Sequence, residues 1–420
     1  MVAALVSSAL VLGARGVLPQ PLWTSVHVVT LGVLTSSVLQ WSWYFTRALL
    51  HLPADDRRAG RNATVRLVIF NVAVVAVVAG MWAAWAAVAV GGAGAVGALI
   101  AWHGVDLVRA ARTRLGNRYA VVVRYYVASA GFLVVGCVLA GFLVVAMFDP
   151  AAPDWVVASR DRLTLAHALV NVGGWLGLAV LGTLVTLGPT VLRVRIHPAA
   201  LDRAVAMLPA LVVGVAGAAV AAVLGWLPGV GVGLLVVCAA AVLGVGVPLV
   251  SVARSARGGA FSAWAMGGGL VWSAVGVVGI ATCAFTAADA TALRDASLPW
   301  VVLLGAGGVT QILVGALSYL MPVVIGGGPS AVRVGMGVIE VAWPARTALR
   351  ASALTLLAVG SAGGGGLVSL WWAVVLAAYA VDVVVLAVAG VRQARARAEL
   401  GDARPSPLPV ALTRRTEGAR

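Results

Sequence analysis

The chain is a succession of apolar runs, each close to the ~20 residues that an α-helix needs to cross a bilayer. Of its 420 residues, 62% are apolar and 10% are charged, and the mean hydropathy is +1.03. Globular domains carry roughly 45–50% apolar residues, so a soluble enzyme, a collagen-like chain and a disordered chain are excluded. In hydrocarbon every backbone amide must find its partner within the protein, which makes helices the reading of runs this long. The runs assign twelve spans: 1–18, 23–50, 65–90, 92–108, 119–147, 163–192, 204–226, 229–252, 260–286, 299–324, 347–363 and 367–391. The predicted fold is all-α, a polytopic membrane domain over 1–391. Residues 392–420 are Arg- and Pro-rich, the composition of a disordered cytoplasmic tail. The first span is short and reads as a truncated start; spans four and eleven are Gly-rich and the least regular. Neither an internal repeat nor a soluble domain is evident.

Loop charge sets the orientation. All 29 basic residues are arginine, and the formal net charge is +15. With the N-terminus in the cytoplasm, only Arg15, Arg160, Arg162 and Arg294 fall outside; every other arginine lies on the inner side, with Arg66, Arg346 and Arg350 counted in inner loops. Both termini are therefore expected in the cytoplasm, with the protein in the plasma membrane. Cationic inner loops explain the basic pI without a nucleic-acid partner. Trp23, Trp155, Trp226 and Trp300 near outer ends, and Trp41, Trp43, Trp264 and Trp343 near inner ends, read as interfacial anchors. Cys137, Cys238 and Cys283 are far apart and form no CxxC, so neither a structural zinc site nor a disulfide framework is indicated.

Of the 5 histidines, His51 and His197 fall in loops, and His103 reads as hydrogen-bonded to Asp106 one turn on. His27 and His167 lie inside apolar spans that run in the same direction, each about 6 Å below the outer boundary. Imidazoles in hydrocarbon face the bundle interior and usually carry function. A neutral pair at matching depth suits axial haem ligation or copper; the alternative is that each ring hydrogen-bonds to a neighbouring helix. His167, Asn171, Gly174 and Leu178 share a face, and Gly173, Gly174, Gly177 and Gly182 allow close approach of a helix or a flat macrocycle. Gln311 and Tyr319 form a polar seam in span ten, and Asp382 is an isolated carboxylate in span twelve, either proton-linked or paired with a neighbouring helix. The Gly-rich turn at Ile325–Pro329 lacks the residues of a phosphate loop and reads as a helix exit.

The segments HVVTLGVLTSSVLQWSWYFTR (27–47), HALVNVGGWLGLAVLGTLVTLGPTVLRVR (167–195) and QILVGALSYLMPVVIGGGP (311–329) resemble the membrane portion of actinobacterial copper oxidase-like proteins. That family is in turn similar to the NnrS-like and haem–copper oxidase subunit I-like twelve-helix proteins. The resemblance implies a haem–copper type bundle with His27 and His167 as the matching histidines. It implies haem of b type, with copper as a further metal, and Asn171 and Gln311 as supporting polar groups. No histidine stands in span ten, and no cupredoxin domain follows. The expected function is thus a haem-binding or copper-binding membrane protein of respiratory or nitrogen-oxide metabolism, in electron transfer or sensing rather than oxygen reduction. Its expected partners are the lipid bilayer and an extracytoplasmic copper protein or electron donor. The competing expectation is a cofactor-free transporter or structural partner subunit, with spans four and eleven, Asp382 and Gln311 lining a path.

Overall fold

The computed structural model describes residues 19–52, 61–112, 116–256, 260–363 and 367–402. It is helical, with no strand among the described residues. In chain order the helices of twelve or more residues are α1 Pro21–Leu50, α2 Arg61–Trp82, α3 Ala86–Arg112, α4 Ala120–Phe148, α5 Arg160–Val191, α6 Ala200–Leu224, α7 Leu227–Ala253, α8 Phe261–Thr286, α9 Ala290–Ile325, α10 Gly328–Ile339, α11 Trp343–Gly363 and α12 Val368–Asp402. Ten of these, α1 to α9 and α12, are long and apolar enough to cross a membrane. Val68, Val72 and Val75 on α2 and Val213, Val220 and Leu224 on α6 point away from the protein. Such outward apolar faces belong against lipid. Where helices meet, small residues bring backbones close: a Cβ at Gly233 on α7 would stand 2.7 Å from the Gly214 carbonyl of α6.

Four of the long helices contain a π-helical segment: Val28–Thr35 in α1, Leu169–Gly177 in α5, Val242–Gly246 in α7 and Leu303–Val309 in α9. Such segments break the regular ladder and often mark functional sites. In α1 the hydroxyl of Thr35 takes up the slack, donating to the Thr30 carbonyl at 2.8 Å.

Several expectations are corrected. Residues 1–18 lie outside the described residues. The break between spans three and four falls at Ala83–Trp85, where Ala84 has a φ of 53°, and not at 90–92. Span four is therefore an unbroken helix of 27 residues. Span eleven corresponds to α11, which is not among the ten apolar crossings. Arg66, Arg346 and Arg350 are not loop charges. Arg66 is buried and donates from Nη1 to Asp106 Oδ2 at 3.0 Å. Arg346 Nη1 lies 2.8 Å from Asp382 Oδ1, and Arg350 donates to the other carboxylate oxygen. Charges taken out of water must pair, and these arginines do so across helices. Asp106, committed to Arg66, is not His103's partner; that ring meets the Ser42 hydroxyl at 2.9 Å through Nε2.

The chain beyond 391 does not begin with disorder, for α12 continues to Asp402. Gln393 Nε2 donates to the carbonyls of Pro322 and Gly326, and Arg397 Nη1 donates to that of Ile325. These are carbonyls at the end of α9, capped from outside; that of Pro322 also accepts the Gly326 backbone N–H. There Gly326, Gly327 and Gly328 all have positive φ, 66°, 94° and 81°, a path that only glycine follows without strain. The turn is the helix exit expected from the sequence, and it leads straight into α10.

Candidate metal centre

His27 and His167 meet. Their ring centres are 6.4 Å apart, with the planes inclined by 24°. The helices that carry them are tied in register eight residues further on, where Trp175 Nε1 of α5 donates to Thr35 Oγ1 of α1 at 3.0 Å. Trp175 and Thr35 are both buried, at 2% and 1% exposure. In each helix the π-helical segment starts within two residues of the histidine. α1 and α5 therefore present the same feature at the same depth. The likeness lies in backbone conformation and in one buried hydrogen bond, neither of which shows as a repeat of letters.

Each ring is fixed from behind. His27 Nδ1 lies 2.8 Å from the Trp23 carbonyl, one turn earlier in α1. His167 Nδ1 lies 2.9 Å from the Gly136 carbonyl of α4. A carbonyl only accepts, so both Nδ1 atoms carry the proton and both Nε2 atoms carry the lone pair. This is the arrangement found behind metal-ligating histidines, in which the far nitrogen is held by a carbonyl or carboxylate. The Trp23 ring also stacks on His27, with centres 4.1 Å apart.

Asn171 is at the site, with Nδ2 3.1 Å from His167 Nε2. Its Oδ1 is buried and has no hydrogen-bond partner among the described residues. A Cβ at Gly136 would overlap that oxygen, so Gly136 both exposes the carbonyl that holds His167 and leaves room for Asn171. Gln311 is not brought to the site. It is buried in α9 with Oε1 turned toward Gly268 of α8. Two glycines of α5 meet α4: a Cβ at Gly174 would overlap Phe132, and one at Gly182 would overlap Tyr125, whereas Gly173 and Gly177 line a cavity.

Sequence reasoning missed Gly136, Thr35 and Trp175, and took Trp23 for an anchor alone. A glycine in an apolar span is too common to single out, but the equal His-to-Thr and His-to-Trp spacings were available as a signal. No group of three or more His, Cys, Asp or Glu side chains converges anywhere among the described residues. Comparison of the chain with family models, curated proteins and solved structures finds no match.

Proposed function

We propose that the chain is a membrane-embedded metal-binding protein, with His27 and His167 holding one metal ion between α1 and α5. The observation that carries this reading is the shared orientation of the two rings: both Nδ1 protons are spent on backbone carbonyls, and both lone pairs are left at Nε2. Two imidazoles holding one metal ion would stand with ring centres roughly 6 Å apart, against 6.4 Å here. Zinc wants four protein or water ligands, whereas the pair offers two. Copper binds imidazole more tightly than the other first-row divalent metals and in its reduced state accepts two ligands. The metal proposed is copper, and the chemistry it would supply is one-electron transfer.

The same spacing suits the two axial positions of haem iron, which keeps haem b as the second reading. Against it stands the covering of Gly174 and Gly182 by Phe132 and Tyr125, which leaves no flat cradle on that face of α5. The transporter reading loses its components. Span four is unbroken, Asp382 is held by two arginines, and Gln311 packs against α8.

In function the two arms of the site divide the work. His27 and Trp23 belong to one helix turn and move together. His167 is braced by α4 through Gly136, and the Asn171 amide on its Nε2 would have to turn aside for that nitrogen to hold a metal. The reading also places the site on the extracytoplasmic side of the plasma membrane, with both termini inside, in reach of an external electron donor or copper protein. The test is the metal content and absorbance of protein purified from cells supplied with copper and haem. One copper per chain, lost in both His27→Ala and His167→Ala, supports the proposal. A Soret band lost in the same variants moves the assignment to haem. Neither copper nor haem would refute both.

A further inference from the structure

Beside α5 lies a cavity of about 480 Å³ that His27 and His167 do not line. That volume falls within the ~300–1,000 Å³ of small-molecule sites. Its wall runs along α5 from Asp161 to Leu181 and along α9 from Ala290 to Ile312, with α6, α7 and α8 between them. At 1.5 Å per residue this is a length of ~30 Å, nearly the full hydrocarbon thickness, so the space is long and narrow. The space has the shape of a chain rather than of a globular solute. Three π-helical segments, those of α5, α7 and α9, contribute to its lining.

The wall is mostly apolar, and its charged residues gather at one end. There Thr291 donates to Asp161 Oδ2 at 3.1 Å, joining α9 to α5, and Arg294 stands at the rim in an ion pair with Asp295. One turn deeper, Ser297 lines the cavity at 5% exposure, and its Oγ has no hydrogen-bond partner among the described residues. A serine elsewhere in the lining, Ser273, donates to the Gly269 carbonyl of its own helix at 2.8 Å, as hydroxyls in apolar helices do. Ser297 does not. An unpartnered buried hydroxyl is costly, and this one belongs to a residue that lines the apolar shaft just below its polar rim.

We infer that this cavity binds one long-chain amphiphile, its hydrocarbon chain laid along α5 and α9 and an oxygen of its head hydrogen-bonded to Ser297. The inference does not rest on the metal centre, since His27 and His167 do not line the cavity. A free fatty acid and a lipid both offer such an oxygen. The experiment uses the full chain in lipid nanodiscs and three labelled probes: palmitate, palmitoyl lysophosphatidylcholine and hexadecane. Expected is saturable binding of palmitate or of the lysolipid near one per chain, with hexadecane at least tenfold weaker; the tighter of the two oxygen-bearing probes identifies the source. Ser297→Ala should weaken that probe three- to tenfold and leave hexadecane unchanged. Ala274→Phe on α8 and Ala241→Phe on α7 each fill the shaft and should abolish binding; either one that folds suffices. Hexadecane binding as tightly as the other probes, binding that does not saturate, or binding that survives the filled cavity overturns the inference.

Discussion

Gly136→Ala is the smallest change that reaches the proposed metal centre. A Cβ added at Gly136 falls on the Asn171 amide oxygen, which is already buried without a partner. The amide must swing away, and with it goes the contact to His167 Nε2. Overpacking of this kind costs about 1–3 kcal/mol. Without the collision, alanine in place of glycine within a helix is favourable by about 0.5–1 kcal/mol. The sign of the substitution therefore depends on residue 171. In the native background Gly136→Ala should destabilise by about 1–2 kcal/mol; in an Asn171→Ala background it should be neutral or stabilising. The interaction energy of the cycle is then about 2 kcal/mol. Reversible unfolding of the four proteins in detergent measures it. Equal effects of Gly136→Ala in both backgrounds would refute the placement of Asn171 against α4.

Three further outcomes are expected. Asp382→Asn removes the one carboxylate shared by Arg346 and Arg350, and breaking a buried pair costs about 3–5 kcal/mol; the triple change Asp382→Leu, Arg346→Met, Arg350→Met should recover most of the melting temperature, and a single variant that melts like the native protein would contradict the pairing. Trp175→Phe leaves the packing but removes the donor to Thr35, so stability should fall by about 0.5–1.5 kcal/mol and copper affinity with it; unchanged affinity would show that the tie between α1 and α5 does not hold the histidines in register. A chain ending at residue 391 loses Gln393 and Arg397 from the end of α9 and should melt lower than the full chain, whereas an equal melting point would show that 392–402 contributes nothing to the bundle.

Hydropathy made the transmembrane helices legible, because a bilayer leaves a long apolar run few alternatives. The approach of His27 to His167 was legible for the same reason: two spans running the same way put equal positions at equal heights in the bundle. Partner choice was not legible. Arg66, Arg346 and Arg350 look like loop charges in a window average, yet each has a buried carboxylate on another helix, and only the packing reveals it. Asp106 went to Arg66 and not to His103 for that reason. The seat of Gln311 was likewise set by which helices pack together, since its face of α9 meets α8. The end of the last helix was misplaced because composition registers the arginines after 391 but not the carbonyls of Pro322, Ile325 and Gly326 that Arg397 and Gln393 reach.

The measurement closest to the central claim is the X-ray absorption spectrum of copper bound to the purified chain. The account predicts two nitrogen neighbours at ~2.0 Å with the outer-shell pattern of imidazole, and loss of bound copper when either His27 or His167 is replaced. A sulfur neighbour, a shell of four ligands, or a spectrum unaffected by replacing one histidine would contradict it.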